Sequence, residues 1–276
     1  MLSILGRPGK NIFKKTNFGT NKANLQDVLK FFALISMIID HFSLFVLELS
    51  NQNYIDPIWL RLIGRFAMPS FCFYVGYNYF NKRKKLNLNI SLFHKRYFLI
   101  LMSGLLLEFL KRYLISDPSV HTPNILLSIS ISLIFFDLLL ALRINLYFAL
   151  IFLIGLSFIT KDWFDYGTLS TAFIVLGYIS SYNREAILYV IFTLSCCVSA
   201  FILNEIFFNF YDNSIYQYII LGFINFLIFI LIQFNPLVKT NSRIFLISRY
   251  SLAIFIIHYS IFIILCWYLY FTPMSA

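Results

Sequence analysis

LKFFALISMIIDHFSLFV (29–46) decides how the rest of this chain is to be read. The run is apolar except for Lys30 at its start, Ser36 and Ser43, and the adjacent Asp40 and His41. A helix of about 20 such residues crosses the ~30 Å hydrocarbon core of a bilayer. The whole chain continues in this vein: of 276 residues, 60% are hydrophobic, 20% aromatic and 12% charged. Soluble domains are about 45–50% apolar and about 25% charged, so an ordinary soluble protein is excluded. The 33 Phe, 18 Tyr and 3 Trp carry too much apolar surface for a disordered chain. The composition predicts an all-α integral membrane protein, a polytopic helical bundle.

Apolar runs long enough to span number about nine, with eight to ten compatible. They fall near 27–48, 58–80, 97–116, 123–142, 144–160, 163–181, 186–207, 215–235 and 247–270. Pro57 and Pro123 stand near span starts, where a missing N–H costs little. Pro69 lies inside the second run and is expected to kink it. The domain reading is a basic N-terminal tail over 1–24, a single transmembrane domain over 25–270 and a short tail over 271–276. The N-terminus lacks an apolar segment followed by a cleavage site, so the first run is expected to stay as an anchor. No internal repeat or linker divides the chain.

The net charge of +10 is distributed unevenly. With the N-terminus cytoplasmic and nine spans, only Arg61, Arg65, Lys111, Arg112 and Lys161 of the 22 basic residues fall on the far side. Basic residues gather on the cytoplasmic side and attract anionic lipid heads, which predicts an N-terminus inside and a C-terminus outside. The basic segments are loops between spans, so the expected partners include membrane lipids and not nucleic acid. Cys72, Cys196, Cys197 and Cys266 sit inside apolar runs without the spacing of a disulfide framework or a metal site, and no metal is expected.

Ionisable side chains in hydrocarbon cost about 2.5–3.5 kcal/mol each on insertion scales, so each needs a reason. Asp40 and His41 lie in the first run, Arg61 and Arg65 one turn apart in the second, and Glu108 with Lys111 and Arg112 in the third. Asp137, Asp165, Glu205 and His258 fall in later runs. Glu108, Asp137 and Glu205 read as partners in ion pairs between helices. Lys30 and His41 are separated by eleven positions, about 20° beyond three full turns, so they share a face with His41 about 16 Å further along. That spacing suits an anionic donor whose headgroup stays at the cytoplasmic border while its tail reaches a buried base. Imidazole is the side chain suited to that proton exchange near neutral pH. No glycine-rich phosphate loop, HExxH, GxSxG or CxxC motif is present.

Five blocks in this order resemble the TraX family: 29–46, WLRLIGRFAMPSFCFYVGYN (59–78), PNILLSISISLIFFDLL (123–139), DYGTLSTAFIVLGY (165–178) and SRYSLAIFIIHYSIFII (248–264). The resemblance covers about 24–270, and the Asp-His pair of the first run and the IGR..MP.F.F..GYN pattern of the second are its most specific parts. It implies a multi-pass acetyltransferase of the bacterial inner membrane that N-acetylates a pilin or fimbrial subunit. A more distant similarity links the family to the acyltransferase-3 superfamily, whose first span carries Arg–x10–His, and to heparan-α-glucosaminide N-acetyltransferase. Here the pattern reads Lys30–x10–His41, which keeps the charge and loses the bidentate fork.

With that resemblance, His41 is the expected general base or transient acetyl carrier, Asp40 its neighbour in the catalytic group, and Arg65 the group that positions the donor or stabilises the oxyanion. Arg65 also reads as a plain ion-pair partner of Asp40. Acetyl-CoA is the expected donor, with Lys30, Arg61, Tyr77, Asn78, Lys82 and Arg83 around it. Asp165 and Tyr166 would meet an exported acceptor on the far side, and His258 is a candidate second proton carrier. Acetylation of a cell-envelope glycan, transport of a lipid-linked precursor and non-enzymatic pilus assembly remain alternatives. The missing repeat weighs against a transporter.

Overall fold

The computed structural model describes residues 25–48, 57–65, 67–86, 95–115, 124–160, 166–182, 195, 198, 199, 202 and 242–271. Among these, all regular structure is helical. The tails, the expected span at 215–235 and nearly all of that at 186–207, together with Glu205 and Asp165, lie outside the described residues.

Helix α1 (Leu25–Phe42) continues directly into π-helical turns over Ser43–Glu48. Its buried side chains Leu29, Ala33, Met37 and His41 recur every four residues, one stripe of a helix surface. Phe32, Ile35 and Phe42 lie exposed on the other side. Asp27 sits in the first turn, where a carboxylate complements the positive end of the helix dipole.

The expected continuous second span is instead two helices, α2 (Pro57–Gly64) and α3 (Ala67–Leu86). Pro69 explains the break: it donates no N–H, and its ring would clash with the carbonyl four residues earlier, at Arg65. The chain therefore turns before Pro69 and restarts with that proline in the first turn. Ser36 of α1 secures the loose end, its hydroxyl donating to the Ile63 carbonyl at 2.5 Å and facing that of Gly64 at 3.4 Å.

Helices α4 (Lys95–Leu114) and α5 (Ile125–Ala141) form an antiparallel pair locked by Asn124. Its side-chain oxygen caps α5 by accepting from the Leu126 and Leu127 N–H groups, and its amide donates to the Gly104 carbonyl of α4 at 2.8 Å. Helices α6 (Leu146–Thr160) and α7 (Leu169–Tyr182) form a second pair. Thr168 ties it by donating its hydroxyl to the Leu153 carbonyl at 2.8 Å. The sixth span thus starts its helix at Leu169, later than expected. Helix α8 (Ser242–Arg249) precedes α9 (Ser251–Phe271), so the last apolar run is interrupted at Tyr250.

At the centre, α7 is buried all round, with residues 172–176 fully covered and the hydroxyls of Ser170, Thr171, Ser180 and Ser181 buried with it. It crosses α3 at backbone distance. A Cβ added to Gly76 would overlap the Ile174 carbonyl, and one added to Gly177 would overlap the Phe73 carbonyl. Small residues permit this approach where helices associate without much hydrophobic drive. Two further contacts give directions: α7 runs parallel to α3, through Arg65–Tyr166 and Tyr79–Tyr178, and to α5, through Ser132–Ser170 and Phe136–Tyr178. Helix α9 runs parallel to α1, because Ser248 meets Asp27 and His258 meets His41.

Two stretches among the described residues are long and apolar enough to cross a membrane, Asp27–Leu47 and Ser251–Leu269. The fifteen residues of α6 and fourteen of α7 rise only about 22 Å and 21 Å, less than a full crossing.

The α3–α7 crossing makes a prediction with an internal control. Gly177→Ala should destabilise the protein by about 1–3 kcal/mol, as overpacking does. Gly155→Ala, on a helix surface with nothing near its missing Cβ, should gain up to about 1 kcal/mol from helix propensity. Denaturation in detergent measures both, and equal stability of the Gly177 variant and wild type would remove the close crossing.

Candidate functional site

The stripe of α1 ends on His41, and the corresponding stripe of α9 (Phe255, Tyr259, Ile263 and Cys266) carries His258 beside it. Parallel packing of the two helices brings the imidazoles together although 217 positions separate them. His41 Nδ1 lies 2.9 Å from His258 Nε2, with the ring planes nearly parallel, 21° apart, and the centroids 5.1 Å apart. On its other nitrogen, His258 donates from Nδ1 to the Ile254 carbonyl at 2.7 Å. Phe45, Phe255 and Tyr259 wall the pair with ring edges. Both histidines are buried.

Two cations bear electrostatically on His41: Arg61 of α2 and Lys111 of α4. Each is tied to a carboxylate. Arg61 Nη1 meets Asp40 Oδ1 at 2.9 Å, in a place where both side chains are 18% exposed. Gly64 makes room for this contact, since a Cβ there would run into the Asp40 side chain. Lys111 Nζ meets Glu108 Oε2 at 3.0 Å, and Arg112 Nε meets Glu108 Oε1 at 2.9 Å. Glu108 therefore pairs within its own helix at spacings of three and four, and the link between helices comes from the Asn124 N–H at 3.2 Å. That replaces the expectation of an ion pair between helices for Glu108.

Arg65 reaches a different partner from Arg61. Its Nη1 donates to the Tyr166 hydroxyl at 2.8 Å, and its guanidinium lies over the Tyr166 ring, 5.5 Å from the centroid. The ion-pair partner of Asp40 is thus Arg61, one turn before the Arg65 expected from sequence. Tyr166 has φ 65° and Gly167 φ 51°, two consecutive left-handed residues before α7. A tyrosine there is strained, and such strain is held where surrounding contacts over-determine the residue.

On the opposite end of α1, Lys30 Nζ lies 5.6 Å from the centre of the Tyr74 ring of α3. Tyr77 is buried and stacked on Phe73, and Asn78 is half-buried beside it. Lys82 and Arg83 fall on the last turns of α3, with their side chains outside the described residues. Asp137, expected in an ion pair between helices, accepts a hydrogen bond from the Tyr79 hydroxyl of α3 at Oδ1, and Tyr97 of α4 in turn hydrogen-bonds Tyr79.

The structure therefore brings together Asp40, His41, Arg61 and His258, and adds Lys111, which sequence reasoning left on the far-side surface. The signal for Lys111 was present in the Glu108–Lys111 spacing, one buried turn of a helix. Arg65 with Tyr166, and Lys30 with the Tyr77–Asn78 segment, form two further groups along α1 and α3.

A helical, membrane-type protein whose buried polar groups converge on a histidine pair is the class these features define. The chain belongs to the TraX family: the family model described as TraX protein matches residues 25–266. It is similar to an uncharacterized protein of Rickettsia prowazekii (strain Madrid E), 32% identical over 168 residues, 59% of this chain. The chain spans about three fifths of that relative, 59% of its length. No solved structure matches.

The pairing of Asp40 with Arg61 is open to a double-mutant cycle. Asp40→Asn and Arg61→Gln should couple by about 1.5–3 kcal/mol, the range for a hydrogen bond to a charged group. Asp40→Asn and Arg65→Gln should add within about 0.5 kcal/mol. Unfolding of the three single and two double variants in detergent reads both, and coupling to Arg65 in place of Arg61 would reverse the assignment.

Proposed function

We propose that this protein is a multi-pass acetyltransferase of the bacterial inner membrane that transfers acetyl from cytoplasmic acetyl-CoA to the N-terminal amine of a pilin or fimbrial subunit. The observation that carries the reading is His41, buried against His258 with Arg61 and Lys111 in electrostatic reach. A positioned base, and cations able to stabilise a developing oxyanion, are groups that acyl transfer uses. TraX membership supports the pilin acceptor and a role in conjugation. The helix directions support the alternating nine-span topology with a cytoplasmic N-terminus: α1 parallel to α9, and α3, α5 and α7 parallel to one another.

In this mechanism His41 removes a proton from the acceptor amine as its nitrogen attacks the thioester carbonyl carbon. The C=O electron pair moves to oxygen, and Arg61 and Lys111 stabilise that charge. The pair returns, the C–S bond breaks, and the leaving thiolate takes the proton from His41. Amide and free thiol result, with atoms and charge balanced. The donor's phosphates would lie near Lys30 and residues 82–85, and its arm would follow α1 for the ~16 Å to His41. Arg65 and Tyr166 sit at the level of Arg61, on the side from which an exported acceptor would come.

The test is the intact mass of the pilin from cells with and without the gene. Wild type should add one acetyl group, and His41→Ala should insert and fold yet leave the pilin unmodified. Acetylation by the His41 variant removes that residue from the mechanism. An unmodified pilin in wild-type cells removes the pilin acceptor and moves the search to envelope glycans. Neutralising residues 82–85 should raise the acetyl-CoA concentration needed for half-maximal rate, with insertion unchanged; an unchanged requirement makes those residues topology signals only.

A further inference from the structure

We infer that His258 is a positioning residue that fixes the tautomer of His41, making Nε2 its basic nitrogen. The inference rests on the acetyltransferase reading for its catalytic meaning but not for its geometry.

The Ile254 carbonyl has no hydrogen to offer, so at 2.7 Å it must accept from His258 Nδ1. An uncharged imidazole carries one N–H, so His258 Nε2 is then a lone pair. The atom 2.9 Å away, His41 Nδ1, must be the donor across that gap. With both rings uncharged, the resting state of a base, His41 holds its hydrogen on Nδ1 and its lone pair on Nε2. The opposite arrangement would put two lone pairs or two hydrogens against each other at one end of the chain. A backbone carbonyl, one turn back on α9, thus sets the hydrogen position on α1. The arrangement has the logic of a carboxylate holding a catalytic imidazole, with a neutral ring and a helix carbonyl in its place.

The carbonyl orients His258 without supplying a full negative charge, so the pair needs no buried carboxylate. The titratable groups around it are Asp40 beside His41 on α1, Arg61 on α2, Lys111 with Glu108 on α4, and Tyr259 on α9. Arg61 and Lys111 are already paired with Asp40 and Glu108. Among the described residues neither carboxylate hydrogen-bonds the His41 ring, and His258 is the side chain that orients it.

Two substitutions separate positioning from proton carriage. In His258→Gln the amide oxygen reaches near the place of Nε2 and still accepts from His41, yet it does not exchange protons near neutral pH. In His258→Leu the acceptor is gone and the His41 hydrogen is free to move to Nε2. Full-length protein in detergent or vesicles, acetyl-CoA and an acceptor peptide give the kinetics, and nitrogen-15 shifts of labelled His41 give the tautomer. The expected result is a His41 Nδ1–H in wild type and in His258→Gln, with kcat within about tenfold. His258→Leu should lose kcat by about 10²–10⁴-fold, the share of a general base, with KM for acetyl-CoA unchanged. His258→Gln as impaired as His258→Leu, with Nδ1–H retained, overturns the inference in favour of a proton carrier. An Nε2–H on wild-type His41 overturns it outright. If His258→Leu fails to fold, wild type and His258→Gln decide alone. Absence of transfer by wild type strikes the acetyltransferase reading, while the nitrogen shifts still decide the histidine pair.

Discussion

The crossing of α3 over α7 is the contact on which the other placements depend. Helix α3 carries Tyr74 to Lys30 of α1 and Tyr79 to Asp137 of α5, and it follows directly on α2 with Arg61. The turn leading into α7 carries Tyr166, which meets Arg65, and α7 itself carries Tyr178, which meets Tyr79. The two helices can serve both ends only because Gly76 and Gly177 let backbone meet backbone where they cross. Any side chain there would lift α7 off α3 and separate groups more than ten residues away on each helix.

A second constraint comes from the burial of polar groups. A polar group buried without a partner costs about 1–3 kcal/mol by mutational measures, and a charge costs far more. The interior answers in several ways that do not rely on one kind of bond. Asp40 and Glu108 are matched by arginine and lysine, Asp137 by tyrosines, and the carbonyls at the end of α2 by Ser36. His41 is matched by another histidine. This last solution keeps a titratable ring at the α1–α9 contact, within electrostatic reach of Arg61 and Lys111.

The π-helical turns after α1 belong to the same economy of placement. They follow His41 directly and carry Phe45, which packs on both His41 and Tyr259. Insertions of this type widen a helix by one residue per turn and recur at functional sites. Here the wider turn sets Phe45 against the histidine pair while α1 continues to Glu48 as one rod.

Helical character, the ends of α1, α4, α5 and α6 to within a few residues, and the family were legible in the sequence. Apolar run length is a local property, and Pro57 and Pro123 mark helix starts without reference to anything distant. Asp40 and His41 stood out because ionisable groups are costly in an apolar run, whatever surrounds them. The partners were not legible. Arg61 and Arg65 share charge, helix face and neighbourhood, and only the packing of α1, α2 and α7 gives Asp40 to one and Tyr166 to the other. His258 looked like an isolated polar residue because its partner is 217 positions away. Lys111 looked like surface for the same reason. Local chemistry determines which segments are helices and which side chains need a partner; long-range packing decides which partner each one receives, because distance along the chain carries no information about proximity across the bundle.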